Sequence, residues 1–351
     1  MPTGFRTHAQ MRRFWFAAAL LPCAALAVTA CSSSGSSSPM ASSSAAAPAS
    51  SAKPSGTANV AYAGSLANLD EKVIGPAFTK AEGYAYQGRG AGSTALSQEI
   101  KAGEITPDVF ESIGGKPITA LEPKFTSWYV QFASSPIVVA YSPASKYASQ
   151  FAAIAKGTKP MSDLFTLMAT PGFKLGRTDP NLDPQGVGFI EMLMLAQKQY
   201  NPPSDIVTKI IGGPPSSANS SEIFDETALE PRLQAGQLDA SSAYLSQAVQ
   251  LHLHYITLPS SINLGDPALA AQYKTVSFKL ANGQLQTGKP LSVCITTIGT
   301  KDQAAADAFV TYVLSPAGLA LHKQGGYTLL TPKAFGNTSA IPASVKSELG
   351  G

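Results

Sequence analysis

The chain has 351 residues, 44% of them hydrophobic and 13% charged, which is apolar material for a large core and length for two lobes. The formal charge is +3, but Arg6, Arg12 and Arg13 precede residue 31 with no acid among them, and the remaining basic residues balance the 22 acidic ones. No basic field is left to attract nucleic acid, so that class of partner is excluded.

In chain order, MRR at 11–13 is a positive segment and FWFAAALLPCAALAVTA at 14–30 an apolar one, broken by Pro22. The run is too short and too interrupted for a bare transmembrane helix, so residues 1–30 read as a targeting signal. Its end, AVTAC, resembles the bacterial lipoprotein box. The resemblance implies cleavage before Cys31, lipidation of the Cys31 thiol and an acyl tether to the outside of the cell membrane. The stretch 31–57 is mostly Ser, Ala, Pro and Gly, which cannot bury a core, and reads as a flexible leash. Cys294 is then the last thiol, so no internal disulfide is expected; within LSVCITTI it reads as a buried small hydrophobe.

Beyond the leash, ANVAYA (58–63) predicts a strand, then a GS corner, then a helix over LANLDEKVIGPAFTKAEG. YAYQGRG, AGS and STALSQEIKAG repeat strand, corner and helix, and PDVFESIG (107–114) predicts a third strand. Strands alternating with helices argue for a parallel α/β sheet. SPIVVAYS is the next strong strand. FKLGRTDPNLDPQGVGFIEMLMLAQKQY reads as strand, Asp/Pro/Gly corner and amphipathic helix, 201–221 as loop, 228–250 as helix, short strand and helix, and LHLHYITLP as a strand. PLSVCITTIGT leads as a strand into one long amphipathic helix over KDQAAADAFVTYVLSPAGLALHKQGG. The expected organisation is lobe I from 58–137 plus 292–351 and lobe II from 138–291, with the chain crossing between them twice.

AGS occurs at 63–65 and at 91–93, each time between a strand and a helix. A helix N-terminus offers unpaired N–H groups and the positive end of the dipole, Gly admits a ligand close to the backbone, and Ser adds a hydroxyl. One such corner is an ordinary cap. Two from neighbouring parallel strands can converge on one anion without Lys or Arg.

The chain resembles the extracellular solute-binding proteins of molybdate and tungstate ABC importers, in the branch typified by archaeal tungstate/molybdate binders. YAGSL, GAGSTAL, PDVF, SWYVQFASSPIVVAYSPASKY, KLGRTDPNLDPQG, LQAGQLDASSAY, AVQLHLHYITLP, INLGDP and GKPLSVCITT carry the resemblance, in the family's order, over most of 59–335. It implies an α/β, two-lobed, periplasmic-binding-protein-like fold of type II, with one oxyanion bound in the interlobe cleft of a monomer and delivered to a membrane permease, without a cofactor. It also implies that Ser65 and Ser93 donate from lobe I, that Tyr244 gives its phenol to an oxo group, and that Asp183 and Glu226 bond the Mo or W centre. The chain departs from the family at Ala243, where an acidic or aromatic residue usually precedes the Tyr, and its segment between Asp183 and Glu226 is shorter.

Carboxylates beside a dianion repel it by roughly 4 kcal/mol per unit pair at ~4 Å and an effective dielectric of about 20. A hard Mo(VI) or W(VI) centre that expands its coordination takes carboxylate oxygens as ligands, whereas closed, four-coordinate sulfur does not. Such acids would therefore select against sulfate. Each residue also has a plain reading: Asp183 as a turn or cap, Glu226 as a first-turn acid, Tyr244 as core, and Arg89 and Arg177 as solvated or ion-paired surface groups. His252 and His254 lack further ligands at zinc spacing. An enzyme is disfavoured, because no GxSxG elbow, P-loop or triad setting for His252, His254 or His322 is present. A binder of another ligand, a sulfate- or phosphate-like oxyanion or an organic cation, stays open.

Overall fold

A computed structural model describes residues 54–216, 222–299 and 301–349. The targeting segment, Cys31 and most of the leash lie outside the described residues. The strands are β1 (Thr57–Ala63), β2 (Ala85–Ala91), β3 (Val109–Ile113), β4 (Trp128–Ser134), β5 (Ile137–Tyr141), β6 (Leu175–Gly176), β7 (Ala240–Tyr244), β8 (His254–Thr257), β9 (Ser277–Lys279), β10 (Leu285–Thr287), β11 (Val293–Thr297) and β12 (Thr328–Gly336).

Two sheets carry the two lobes. The first has the order β12-β4-β11-β3-β1-β2 and the second β6-β7-β5-β8, with β9 and β10 pairing apart from both. The chain leaves the first sheet at Ser134, enters the second at Ile137, and is back in the first at Val293. The Ser134 hydroxyl sits between the outgoing and returning segments, 2.6 Å from the Leu291 carbonyl and 3.0 Å from that of Gly265. β3 and β11 are buried at every residue, as strands covered on both faces must be, and their sequences VFESI and VCITT read accordingly.

The first sheet is mixed rather than wholly parallel. β1 runs parallel to β2 and β3, but β11 runs antiparallel to β3 and β4, and β12 antiparallel to β4. A strand that arrives from the other lobe is not bound by the crossover rule that makes β1, β2 and β3 parallel.

The long C-terminal helix is two, Gln303–Leu314 and Pro316–Gln324, bent by 61°. Pro316 has no N–H to continue the ladder, and the Ser315 hydroxyl caps the second helix by accepting from Gly318 N at 3.2 Å. The segment read as loop contains a helix at Ile206–Ile211. After the first corner the chain stays helical through Glu82, widening to π pitch over Asp70–Ile74. Among the described residues no single helix is long and apolar enough to cross a membrane. Cys294 is a free, fully buried thiol that burial pushes up to about 12, so it packs as an apolar side chain.

Candidate functional site

The parallel register pairs Ala63 with Ala91, so Gly64–Ser65 and Gly92–Ser93 leave adjacent strands side by side. Ser65 is the second residue of the helical run that Gly64 opens after β1, and Ser93 is the first residue of the helix Ser93–Ala102. Lobe II supplies the facing groups. Asp183 caps the helix Pro184–Tyr200, its Oδ1 accepting from Gln185 N at 2.8 Å. Glu226 starts the helix Glu226–Gln234, and Tyr244 ends β7.

Each corner meets one carboxylate. A methyl on Gly64 would lie 2.7 Å from Glu226 Oε2, and one on Gly92 would lie 2.8 Å from the Leu182 carbonyl and 3.0 Å from Asp183 Cβ. Only glycine permits either approach. The second contact is reinforced by Ala95 N–H, from the first turn of its helix, donating to Leu182 O at 3.0 Å. The two lobes therefore close on each other here, and all five predicted residues are buried, the most exposed being Asp183 at 4%.

The electrostatics group the lobe II residues. Burial pushes the Asp183 carboxyl up to about 7. Burial, then the Asp183 and Glu230 charges, push Glu226 well up. Burial, then Asp183 and Glu226, push the Tyr244 phenol up as well. Ser65 Oγ, Asp183 Oδ2 and Tyr244 Oη, with Glu230 Oε1, are buried here without a hydrogen-bond partner. Ser65 lies close enough to Glu226 to moderate its shift but outside hydrogen-bonding geometry. The Ser93 hydroxyl accepts from Ile113 N at 3.1 Å, which leaves its own proton to give.

Several site residues escaped the sequence reading. The Ser242 hydroxyl donates to Gln185 Oε1 at 2.8 Å. Gln185 Nε2 donates to Gln247 Oε1 at 2.9 Å and reaches Glu226 Oε1 at 3.4 Å, and Gln247 Oε1 also accepts from Tyr244 N at 2.9 Å. This network holds the site's floor. Tyr327 Oη reaches the Ser65 carbonyl at 3.4 Å. Glu230, one turn beyond Glu226, is buried and pushed up to about 7. The signals available were Gln185 in the same helical turn as the Asp183 cap and the i, i+4 spacing of Glu226 and Glu230; Tyr327 had none.

The arginines divide. Arg89 is a surface residue paired with Glu99 at 2.7 Å, as expected. Arg177 is not a surface group: it is fully buried, its guanidinium reaching the Thr178 carbonyl at 3.5 Å, because the strand end that carries it runs into the second lobe beside Ile223.

Residues 58–328 match the family described as bacterial extracellular solute-binding protein. The chain is 31% identical over 245 residues to the molybdate/tungstate-binding protein WtpA of Pyrococcus abyssi, covering 64% of this chain and 68% of that protein. It is 28% identical over 249 residues to an uncharacterized solute-binding protein of Petrotoga mobilis, covering 68% and 74%. Among solved structures, the periplasmic molybdate-binding protein of Azotobacter vinelandii superposes with a TM-score of 0.53 at 16% identity, over 78% of this chain and 99% of that one, which is a likeness of fold. The family match over residues 58–328, more than half of the chain, is decisive: the chain belongs to the bacterial extracellular solute-binding protein family.

Proposed function

We propose that the chain binds molybdate or tungstate between its lobes and hands it to the permease of an ABC importer, held at the membrane by a lipid on Cys31. The observation that carries this reading is the trio Ser65 Oγ, Asp183 Oδ2 and Tyr244 Oη, buried at one place with no protein partner. A folded protein leaves few such groups, and each unmade bond costs ~1–3 kcal/mol, so three together suit a polar ligand. The two hydroxyls, with Ser93, donate to oxo groups. The carboxylates of Asp183 and Glu226 bond the metal centre, which expands its coordination to take them.

The raised acids fit this chemistry. In the free site burial favours their protonated forms, and a hard centre replaces those protons. Sulfate offers no such exchange: its closed, four-coordinate sulfur takes no carboxylate ligand, and whichever acid stays ionised repels it. The names of the archaeal relatives support the same ligand pair.

The test is calorimetric titration of the ligand-free protein with tungstate, molybdate and sulfate. One-to-one binding of the first two with sulfate silent is the expected result. Equal binding of sulfate would mean that the carboxylates do not touch the ion. Silence from all three would overturn the oxyanion reading and favour an organic ligand.

A further inference from the structure

Beside the buried site, and sharing none of its five predicted residues, lies a second cavity of about 220 Å³. Its walls come from both lobes. Thr94, Ser97 and Lys116 belong to the first, and Val187 and Glu191, on the helix that Asp183 caps, to the second; Lys289 and Leu291 lie on the returning segment. The volume falls below the roughly 300–1,000 Å³ of drug-sized sites, so any occupant is small.

Glu191 decides its character. It is 2% exposed, lines the cavity, and forms neither a hydrogen bond nor an ion pair within 4.0 Å among the described residues. Burial pushes its carboxyl up to about 8 against the opposing pull of Lys289 and Lys116, so at neutral pH it carries a proton to donate. Lys116 Nζ donates to Gln286 Oε1 at 3.0 Å, and burial, then the Lys289 charge, hold its own pKa down. Lys101 adds a third ammonium to the rim. Three cations against one protonated acid leave the cavity positive, while Ile113, Pro117, Val187 and Leu291 give it an apolar wall. The charge suits an anion, the wall suits a hydrocarbon body, and a protonated Glu191 suits one carboxylate oxygen.

We propose that this cavity is a second ligand site, taking a small organic monocarboxylate between Lys116, Lys289 and Glu191. Its carboxylate sits on the two ammonium groups, the Glu191 acid donates to it, and its apolar body lies against Val187 and Leu291. The assignment does not depend on which oxyanion fills the neighbouring site.

Calorimetric titration of the protein with benzoate tests it, with benzylamine and inorganic phosphate as controls. Expected are saturable one-to-one binding of benzoate with a millimolar Kd, persistence of that binding in saturating tungstate, and silence from benzylamine. Lys289→Met and Lys116→Met should each weaken benzoate at least tenfold, and Glu191→Gln, which keeps a donor, should retain it. Circular dichroism and thermal unfolding of each variant separate lost binding from lost fold; if one lysine variant fails to fold, the other decides. No benzoate binding at tens of millimolar, benzoate displaced by tungstate, affinity unchanged in the folded lysine variants, or phosphate binding more tightly than benzoate would each overturn the proposal.

Discussion

The two AGS corners share a tripeptide, a register and a strand-to-helix context, yet they end in different states. At the second, the Ser93 hydroxyl already accepts from Ile113 N, the Ala95 N–H is taken by the Leu182 carbonyl, and Gly92 is pressed against backbone of the other lobe. At the first, Ser65 Oγ has no partner and Gly64 faces the Glu226 side chain, from its Cβ to its Oε2, rather than backbone. The second corner is a latch between the lobes with one proton left over. The first keeps its polar groups for a ligand. What separates them is what the opposite lobe brings: a capped, rigid turn ending in Asp183 in one case, and a carboxylate at the open start of a helix in the other.

The largest expected effect comes from removing the carboxylates. Asp183→Asn and Glu226→Gln should each weaken tungstate by more than about 100-fold, roughly 3 kcal/mol, in calorimetric titration. Sulfate should gain rather than lose in both. Equal losses for the two ions would break the distinction between metal-bonding and hydrogen-bonding groups.

The site's carboxyls, together with Asp70 and Glu111, a second buried acid pair in the first lobe, set the pH response of the ligand-free protein. Asp183, Glu230 and Glu111 are pushed up to about 7, and Asp70 and Glu226 are raised well above their ordinary values, all principally by burial. Between the unfolded pKa near 4 and these folded values the native state binds more protons, so stability falls as pH rises from about 4 to about 7. Asp183→Asn should flatten that slope and raise the melting temperature of the ligand-free protein at pH 7 even as it weakens tungstate. A melting temperature that climbs with pH over this window would contradict the assigned protonation.

Glycine substitutions test the latch. Gly92→Ala drives a methyl into the Leu182 carbonyl, which cannot swing away, and should cost about 1–3 kcal/mol of closed form, seen as a ten- to hundredfold loss of affinity. Gly64→Ala meets Glu226 Oε2, which can rotate away, and Glu226 Cβ at 3.0 Å, which needs only a small shift, and should cost less. Small-angle scattering with and without tungstate would show a more open Gly92→Ala protein. If both substitutions behave alike, the latch is not confined to the second corner.

The serines give the finest contrast. Ser93→Ala leaves the buried Ile113 N–H unpaired and should lower both stability, by ~1 kcal/mol, and affinity. Ser65→Ala removes an unpartnered hydroxyl, so it should lower affinity several-fold while leaving the melting temperature of the free protein unchanged or raised.

The corners themselves were legible, because a βα turn is written in a few consecutive residues and the parallel register that aligns Ala63 with Ala91 follows from the alternation of strand and helix. Asp183, Glu226 and Tyr244 came instead from family resemblance, since nothing local distinguishes a ligating acid from a cap. Gln185 and Gln247 went unnoticed for a related reason: a buried amide pair is made by elements 62 residues apart and has no spacing rule. β12 was missed because TLLTPKAFG carries a proline and little alternation. It is an edge strand whose register with β4 shifts around Pro332, so its partner, not its composition, makes it a strand. The break at Ser315–Pro316 stood in the sequence as a capping serine before a proline, and the apolar periodicity on either side masked it.

X-ray absorption at the tungsten edge of the tungstate-bound protein tests the central claim most directly. The account predicts a centre expanded to six oxygen neighbours, two of them longer and supplied by carboxylates, with one lost in Asp183→Asn. A tungsten that keeps four equal short oxygens in the wild-type complex would contradict it and leave hydrogen bonding from Ser65, Ser93 and Tyr244 as the whole of the recognition.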